Sequence, residues 1–271
     1  MKQFLLPVSP APDGSIRLGG KDYHYLVRVR RLGVGNSFPA LLPGQDGVPE
    51  RNGLKTLVRI LSVDGETLIG RCQPPEDSPE APPPESAPPV LLFQALPKGT
   101  KMDLIVRQAV ETGIAGIVPF AAERSVPKLR DSGGKLERWE RIIREARQQS
   151  GSAAPTSLHS PLSAEGLLSY WETLKSHYSR PLGILFHQDP VAPLEKAILH
   201  DYLSKVPDLV VLAIGPEGGF SPAEVSRFLG AGFKPFKFGG TVLRTETAAV
   251  CGVAAVRLIL LENASWIYKP R

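Results

Sequence analysis

The chain has 271 residues, 42% hydrophobic and 22% charged, a balance that suits a soluble globular protein and excludes a fibrous or wholly disordered one. Its two cysteines, Cys72 and Cys251, lie far apart, so neither a disulfide framework nor a CxxC metal site can be built and the fold must rest on packing. The net charge of +5 points only weakly to an anionic partner. Divided along the chain it says more: residues 1–72 carry 10 Lys/Arg against 6 Asp/Glu, residues 73–89 carry none against 4, and residues 90–271 carry 22 against 17. Both outer segments are basic.

The N-terminal stretch MKQFLLPVSPAPDG lacks the apolar core and small-residue cleavage site of a secretory signal. The longest apolar run, Ala248 to Val256, is far below the roughly 20 residues that span a bilayer. A cytoplasmic protein with no membrane segment is expected. Within residues 1–72, Asp64-Gly65 stands between the β-rich runs LKTLVRILSV and ETLIGRC, a strong short-range hairpin signal. Glycines punctuate the rest of this region, and a small β-barrel is predicted. Residues 73–89, QPPEDSPEAPPPESAPP, hold eight prolines and no hydrophobic residue larger than alanine. They predict a linker, reaching about 53 Å at roughly 3.1 Å per residue if fully extended, or a tolerated insertion between touching domains.

Residues 90–271 alternate between apolar runs and helical patterns. VLLFQAL predicts a buried strand; Met102, Ile105, Val106, Ala109 and Val110 then recur at helical spacing and Gly113 supplies a stop. IAGIVPF predicts the next strand, Leu136, Trp139, Ile142, Ile143 and Ala146 a second amphipathic helix, and LGILFHQ and LVVLAIG two further strands. The alternation predicts a mostly parallel α/β sheet.

Two segments carry the chemistry. In LVVLAIGPEGGFSPAEV a strand ends in Gly215-Pro216-Glu217-Gly218-Gly219, and a helix opens with Ser221 as N-cap, Pro222 at its first position and Glu224 three residues after the cap. A glycine-rich loop between strand and capped helix suits a ligand at the carboxyl ends of the strands, and also suits an ordinary tight turn. It is neither a dinucleotide fingerprint nor a P-loop. In FKFGGTVLRTETAAVCGVAAVRLILLE a short strand runs into Gly239-Gly240, then Leu243-Arg244-Thr245-Glu246-Thr247, then a helix without a polar face for two turns. Such a helix is buried on both sides, in a subunit interface or in the core of one subunit. The five histidines are scattered and no metal site is expected.

Taken together, IGPEGGFSPAEV, LRTETA, ALPKGTKMDLIVRQAVETGIAGIVPFAAERSV and RWERIIREARQQSG resemble, in order, the motifs of the RsmE family of the SPOUT superfamily. These are S-adenosylmethionine-dependent enzymes that methylate N3 of a uridine in small-subunit ribosomal RNA. The resemblance covers roughly residues 90–261. More loosely, Tyr23-His24-Tyr25-Leu26 and Arg30-Arg31-Leu32-Gly33 resemble the family's N-terminal barrel. The resemblance implies a PUA-like β-barrel over 1–72 and a trefoil-knotted α/β domain with a parallel sheet over 90–271 that forms a homodimer; the proline-rich linker over 73–89 departs from the family's pattern.

It further implies that S-adenosylmethionine is held by Ile214, Gly215, Pro216, Glu217, Gly218 and Gly219 in one loop and by Phe238, Gly239, Val242, Leu243, Arg244, Thr245 and Thr247 in the other. Leu185, Phe186 and His187 would form a further wall. For catalysis, Arg244 is the candidate to stabilise negative charge on uracil, or else it pairs with Glu246 or Glu217 as a brace. Glu217 is either a base raised by desolvation or, preferably, a loop brace. Candidate contacts to ribosomal RNA are Arg28, Arg30 and Arg31 in the first segment and Arg124, Lys128, Arg144 and Arg147 in the second. Two rival readings stand beside this one: a non-catalytic ribosome-assembly factor, and an enzyme of the same superfamily with another RNA target.

Overall fold

A computed structural model describes residues 4–42, 55–73, 87–126, 133–152, 155–188, 199–205 and 207–265. The chain divides into two compact units, Met1–Pro84 with Arg147–Pro155, and Glu85–Ala146 with Thr156–Arg271. Most of the expected linker, residues 74–86, lies outside the described residues.

In the first unit, strands β1 (Phe4–Leu5), β2 (Ser15–Gly19), β3 (Ser37–Leu41), β4 (Lys55–Asp64) and β5 (Thr67–Gln73) form one sheet in the order β1-β3-β4-β5-β2. The β1–β3 pair is parallel and the others are antiparallel. This corrects the predicted barrel: among the described residues β1 and β2 do not pair, so the sheet is open. A barrel needs an unbroken ladder around its circumference, and the two-residue β1 offers its register to β3 alone. The open face is instead covered by helix α1 (Gly20–Tyr23) and the π-helical turn His24–Val29. Tyr23 and Leu26 pack there against Phe4, Ile16, Leu18, Phe38, Val58, Ile60 and Leu68. The hairpin is present but slipped by one residue. Asp64 pairs with Thr67 as the last rung, leaving Gly65-Glu66 as the loop, with Gly65 at φ 56, as a two-residue turn with glycine first requires.

The second unit carries a seven-stranded, all-parallel sheet. Its strands are β6 (Val90–Ala95), β7 (Gly116–Ala121), β8 (Ser157–Leu158), β9 (Leu162–Ser163), β10 (Pro181–Phe186), β11 (Leu209–Ile214) and β12 (Lys234–Phe236), in the order β12-β10-β11-β6-β7-β8 with β9 also on β7. The central strands β6 and β11 are apolar but for Gln94 because helices cover both faces. Alternation assigns the faces: Val90, Leu92, Val210, Leu212 and Ile214 pack with helices α2 (Lys101–Glu111), α3 (Gly133–Ser150) and α7 (Thr245–Ser265). Phe93, Ala95, Val211 and Ala213 pack with α4 (Ala164–His177) and α6 (Pro222–Gly230). A short helix, α5 (Leu199–Leu203), precedes β11.

The five positions expected on α2 are all buried, and Gly113 ends that segment at φ 82. Trp139, Ile142, Ile143 and Ala146 are buried on α3 as expected. Two elements differ from expectation. Helix α4 was not anticipated, although Ser163 caps it by accepting from Gly166 N–H at 3.0 Å and Leu167 and Trp171 are buried one turn apart. The strand expected to lead into Gly239 lies earlier, at Lys234–Phe236, where it can pair with β10.

Candidate functional site

Strands β6 and β11 are neighbours in the sheet, yet the chain runs outward from β6 through β7 on one side and reaches β11 from β10 on the other. Such a reversal opens a crevice at the carboxyl ends of the strands, where ligands bind in open α/β sheets. A cleft of about 380 Å³ lies at those ends, within the usual size range of small-molecule sites. Its walls are Phe186, His187 and Gln188 after β10, and Ile214, Gly215, Pro216, Glu217, Gly219 and Phe220 after β11. Phe236, Lys237, Phe238 and the stretch from Gly240 to Thr245 line it after β12, with Lys101 and Ala248 from α2 and α7. The two loops singled out in the sequence thus meet in one cleft.

Local chemistry shapes each loop. Gly219 N–H closes a turn on Pro216 O at 2.9 Å, with Gly219 at φ 65, where glycine is favoured. A Cβ on Gly215 would come within 3.3 Å of the Phe220 ring. Helix α6 is fixed by a complete capping box: Ser221 Oγ accepts from Glu224 N–H at 3.2 Å, and Glu224 Oε2 accepts from Ser221 N–H at 2.9 Å. The other Glu224 oxygen accepts from Glu123 N–H at 2.8 Å, tying the loop after β7 to the start of α6. Next to it, Arg124 Nη1 donates to Gly218 O at 2.8 Å.

Four contacts brace the loops. Thr245 Oγ1 donates to Gly215 O at 2.6 Å. Lys101 Nζ stands 2.7 Å from Glu217 Oε1 and 3.8 Å from Glu246 Oε2, and Lys98 N–H donates to Glu217 Oε1 at 3.1 Å. Burial pushes the Glu217 carboxyl upward, but hydrogen bonds from Lys101 and Lys98 outweigh it and hold the group below its ordinary value. Glu217 is therefore an engaged carboxylate, which favours the brace over the base. Arg244 does not take the alternative role considered for it. Lys101 occupies both Glu217 and Glu246, and among the described residues the exposed Arg244 guanidinium makes no ion pair.

Of the expected cofactor residues, Phe186, His187, Ile214, Gly215, Pro216, Glu217, Gly219, Phe238 and Val242 through Thr245 line the cleft. Leu185 does not, because alternation along β10 turns it into the opposite core layer with Phe93 and Phe233. Gly218 faces Arg124, Thr247 is exposed two residues beyond Thr245 on α7, and Gly239 is exposed outside the lining. Lys101, Gln188, Phe220, Phe236, Lys237, Gly240, Thr241 and Ala248 were missed. For Lys101 the only signal was its place at the start of α2, which does not reveal that this helix end abuts a loop 116 residues away.

Among the candidate RNA contacts, Arg28 and Arg31 are exposed and Arg30 half-buried in the first unit. Arg31 is the one non-glycine among the described residues at positive φ, 55. Arg144 is exposed on α3, whereas burial pushes the half-buried Arg147 guanidinium down. Lys128 lies outside the described residues. Among the described residues no group of three or more His, Cys, Asp or Glu could hold a metal ion, and no helix is long and apolar enough to cross a membrane.

Comparison with known proteins identifies the family. Residues 84–257 match the model of the RNA methyltransferase domain. The ribosomal RNA small subunit methyltransferase E of Synechocystis is 33% identical over 261 residues, covering 95% of this chain and 78% of that one. Its namesake from Bacillus subtilis is 27% identical, covering 92% and 91%. The crystal structure of a ribosomal RNA small subunit methyltransferase E from Neisseria gonorrhoeae bound to S-adenosyl methionine superposes with a TM-score of 0.73 at 21% identity, covering 96% and 98%, a likeness of fold. The chain belongs to the ribosomal RNA small subunit methyltransferase E family and carries its RNA methyltransferase domain.

Proposed function

We propose that the protein transfers the methyl group of S-adenosylmethionine to N3 of a uridine in small-subunit ribosomal RNA. The observation that carries this reading is the convergence of the loops at 214–220 and 240–245 on one cleft with an aromatic wall, Phe186, Phe236 and Phe238. The residues present suit the cofactor. The glycine loop brings backbone amides and carbonyls close to a nucleoside, the phenylalanines offer flat apolar surface to a base, and the 380 Å³ cleft is of a size to take it.

When bound, the cofactor supplies a methyl group already activated on a sulfonium. The protein has to deal with the uracil. N3 attacks only after its proton leaves, so negative charge develops on the ring and its two carbonyl oxygens. Arg244, a permanent cation at the cleft that makes no ion pair among the described residues, stabilises that charge and so eases release of the N3 proton to solvent water. Glu217, held ionised by Lys101 and Lys98, keeps the first loop in register and is too weak a base for the N3 proton. Holding the reacting atoms in line accounts for several kcal/mol of the remaining barrier.

In the same reading the open N-terminal sheet is a PUA-like RNA-binding module that presents Arg28, Arg30 and Arg31, while Arg124, Lys128, Arg144 and Arg147 are further RNA contacts. The end of the second unit is knotted, and two copies pair in the cytoplasm through α7. Support for pairing comes from α7 itself, which buries Ala249, Val253, Val256 and Leu260 within the chain while leaving Cys251, Ala254 and Leu258 exposed. Mass spectrometry of small-subunit RNA from cells with and without the gene tests the activity. Loss of one 3-methyluridine on deletion is expected, and an unchanged set of 3-methyluridines rejects the assignment.

A further inference from the structure

We infer that Gln94, at the end of β6, is a positioning residue that sets the spacing of the two loops through a buried hydrogen-bond relay. The inference rests on the reading of the cleft as a cofactor site. Gln94 is fully buried. Its Nε2 donates to Ala95 O at 2.9 Å and to Thr245 Oγ1 at 3.1 Å, and Thr245 Oγ1 donates to Gly215 O at 2.6 Å. The order of donors is forced. Gly215 O can only accept, so the Thr245 hydroxyl spends its one proton there and must accept from the amide; Ala95 O, also an acceptor, faces the same amide nitrogen. Three segments far apart in sequence, the ends of β6 and β11 and the start of α7, are locked in series at the rim of the cleft that Gly215 and Thr245 line.

A second observation says that this glutamine is not there for stability alone. Its Oε1 is buried with no hydrogen-bond partner among the described residues. A half-satisfied buried amide stabilises less than an apolar side chain of the same shape, because the orphaned oxygen has given up its hydration without return. Its neighbours on the same sheet face, Leu92, Leu212 and Ile214, are apolar, and a methionine would fit their company. What methionine could not do is hold the Thr245 hydroxyl toward Gly215. Gln94 then acts on the cofactor only through Thr245 and Gly215.

The experiment measures Gln94→Met, Thr245→Val and the double variant by calorimetry with S-adenosylhomocysteine and by thermal unfolding. Gln94→Met is expected to weaken binding about tenfold, the factor equivalent to one net hydrogen bond, while its Tm stays within a few degrees of the parent. In the Thr245→Val background the same glutamine change is expected to alter affinity less than twofold, since the relay is already cut. A purely structural glutamine would lower Tm and leave affinity unchanged, or would cost the same in both backgrounds, and either result overturns the inference. Failure of the parent protein to bind S-adenosylhomocysteine would reject the cofactor reading itself, a distinguishable outcome.

Discussion

Lys101 Nζ lies 2.7 Å from Glu217 Oε1, so the first turn of α2 is fastened to the glycine loop after β11 by an ion pair that sequence spacing gives no hint of. Because Glu217 is held below its ordinary value in the folded chain, its contribution to stability is complete above the ordinary glutamate pKa of about 4.3 and fades as pH falls through the lowered folded value. Glu217→Gln is therefore expected to melt a few degrees below the parent at pH 6–7, in keeping with about 1 kcal/mol for a partly exposed pair. That difference should shrink as the pH falls through the lowered folded value and vanish once the carboxyl is protonated in folded and unfolded chains alike. Paired melting curves across that range check the sign, and a difference that grows toward acid would contradict the lowered value.

Among the described residues the exposed Arg244 makes no ion pair. Replacing it by alanine should leave the fold and cofactor affinity nearly intact and lower kcat by about 100- to 1000-fold, the usual cost of losing one group aimed at developing negative charge. Calorimetry with S-adenosylmethionine and single-turnover methylation of RNA separate the two quantities. Weakened binding with unchanged turnover would make Arg244 a cofactor ligand instead.

What could be read from the chain followed the range of each interaction. The continuous apolar runs of β6 and β11, buried on both faces, the buried stripe on α2 and the capping box at Ser221 and Glu224 depend on neighbours a few residues away, and all are visible as patterns. The one-residue slip of the Gly65-Glu66 loop and the open edge at β1 depend on which strands pair, which a local pattern leaves undetermined. Helix α4 carries only a short local signal, Ser163 as cap before the buried Leu167 and Trp171. The meeting of the two loops rests on contacts such as Gln94 to Thr245, 151 residues apart. Only the resemblance of the ordered motifs pointed to it, and Lys101 and Gln94 stayed hidden.

Glu224 is worth more than a helix cap. It is 4% exposed and accepts from both Ser221 N–H and Glu123 N–H, so Glu224→Ala leaves two donors without their acceptor. The cost should be about 2–3 kcal/mol, against about 1 kcal/mol for Ser221→Ala, which removes only the cap. Thermal unfolding should rank the two variants in that order. Equal losses would mean that the Glu123 contact contributes little.

Gly252 tests how closely the cleft wall is packed against α7. A Cβ added there would stand 3.1 Å from Phe186 Cζ, so the ring must shift by a few tenths of an ångström. In a helix interior, Gly→Ala gains about 1 kcal/mol of propensity, while forcing an extra methyl into a packed core costs about 1–3 kcal/mol. The two nearly cancel in stability, but not in position, because Phe186 is itself a wall of the cleft. Gly252→Ala is expected to melt within a few degrees of the parent and to bind S-adenosylhomocysteine several-fold more weakly. An affinity equal to the parent's would show that Phe186 yields away from the cleft, and would remove this ring from the surfaces that hold the nucleoside.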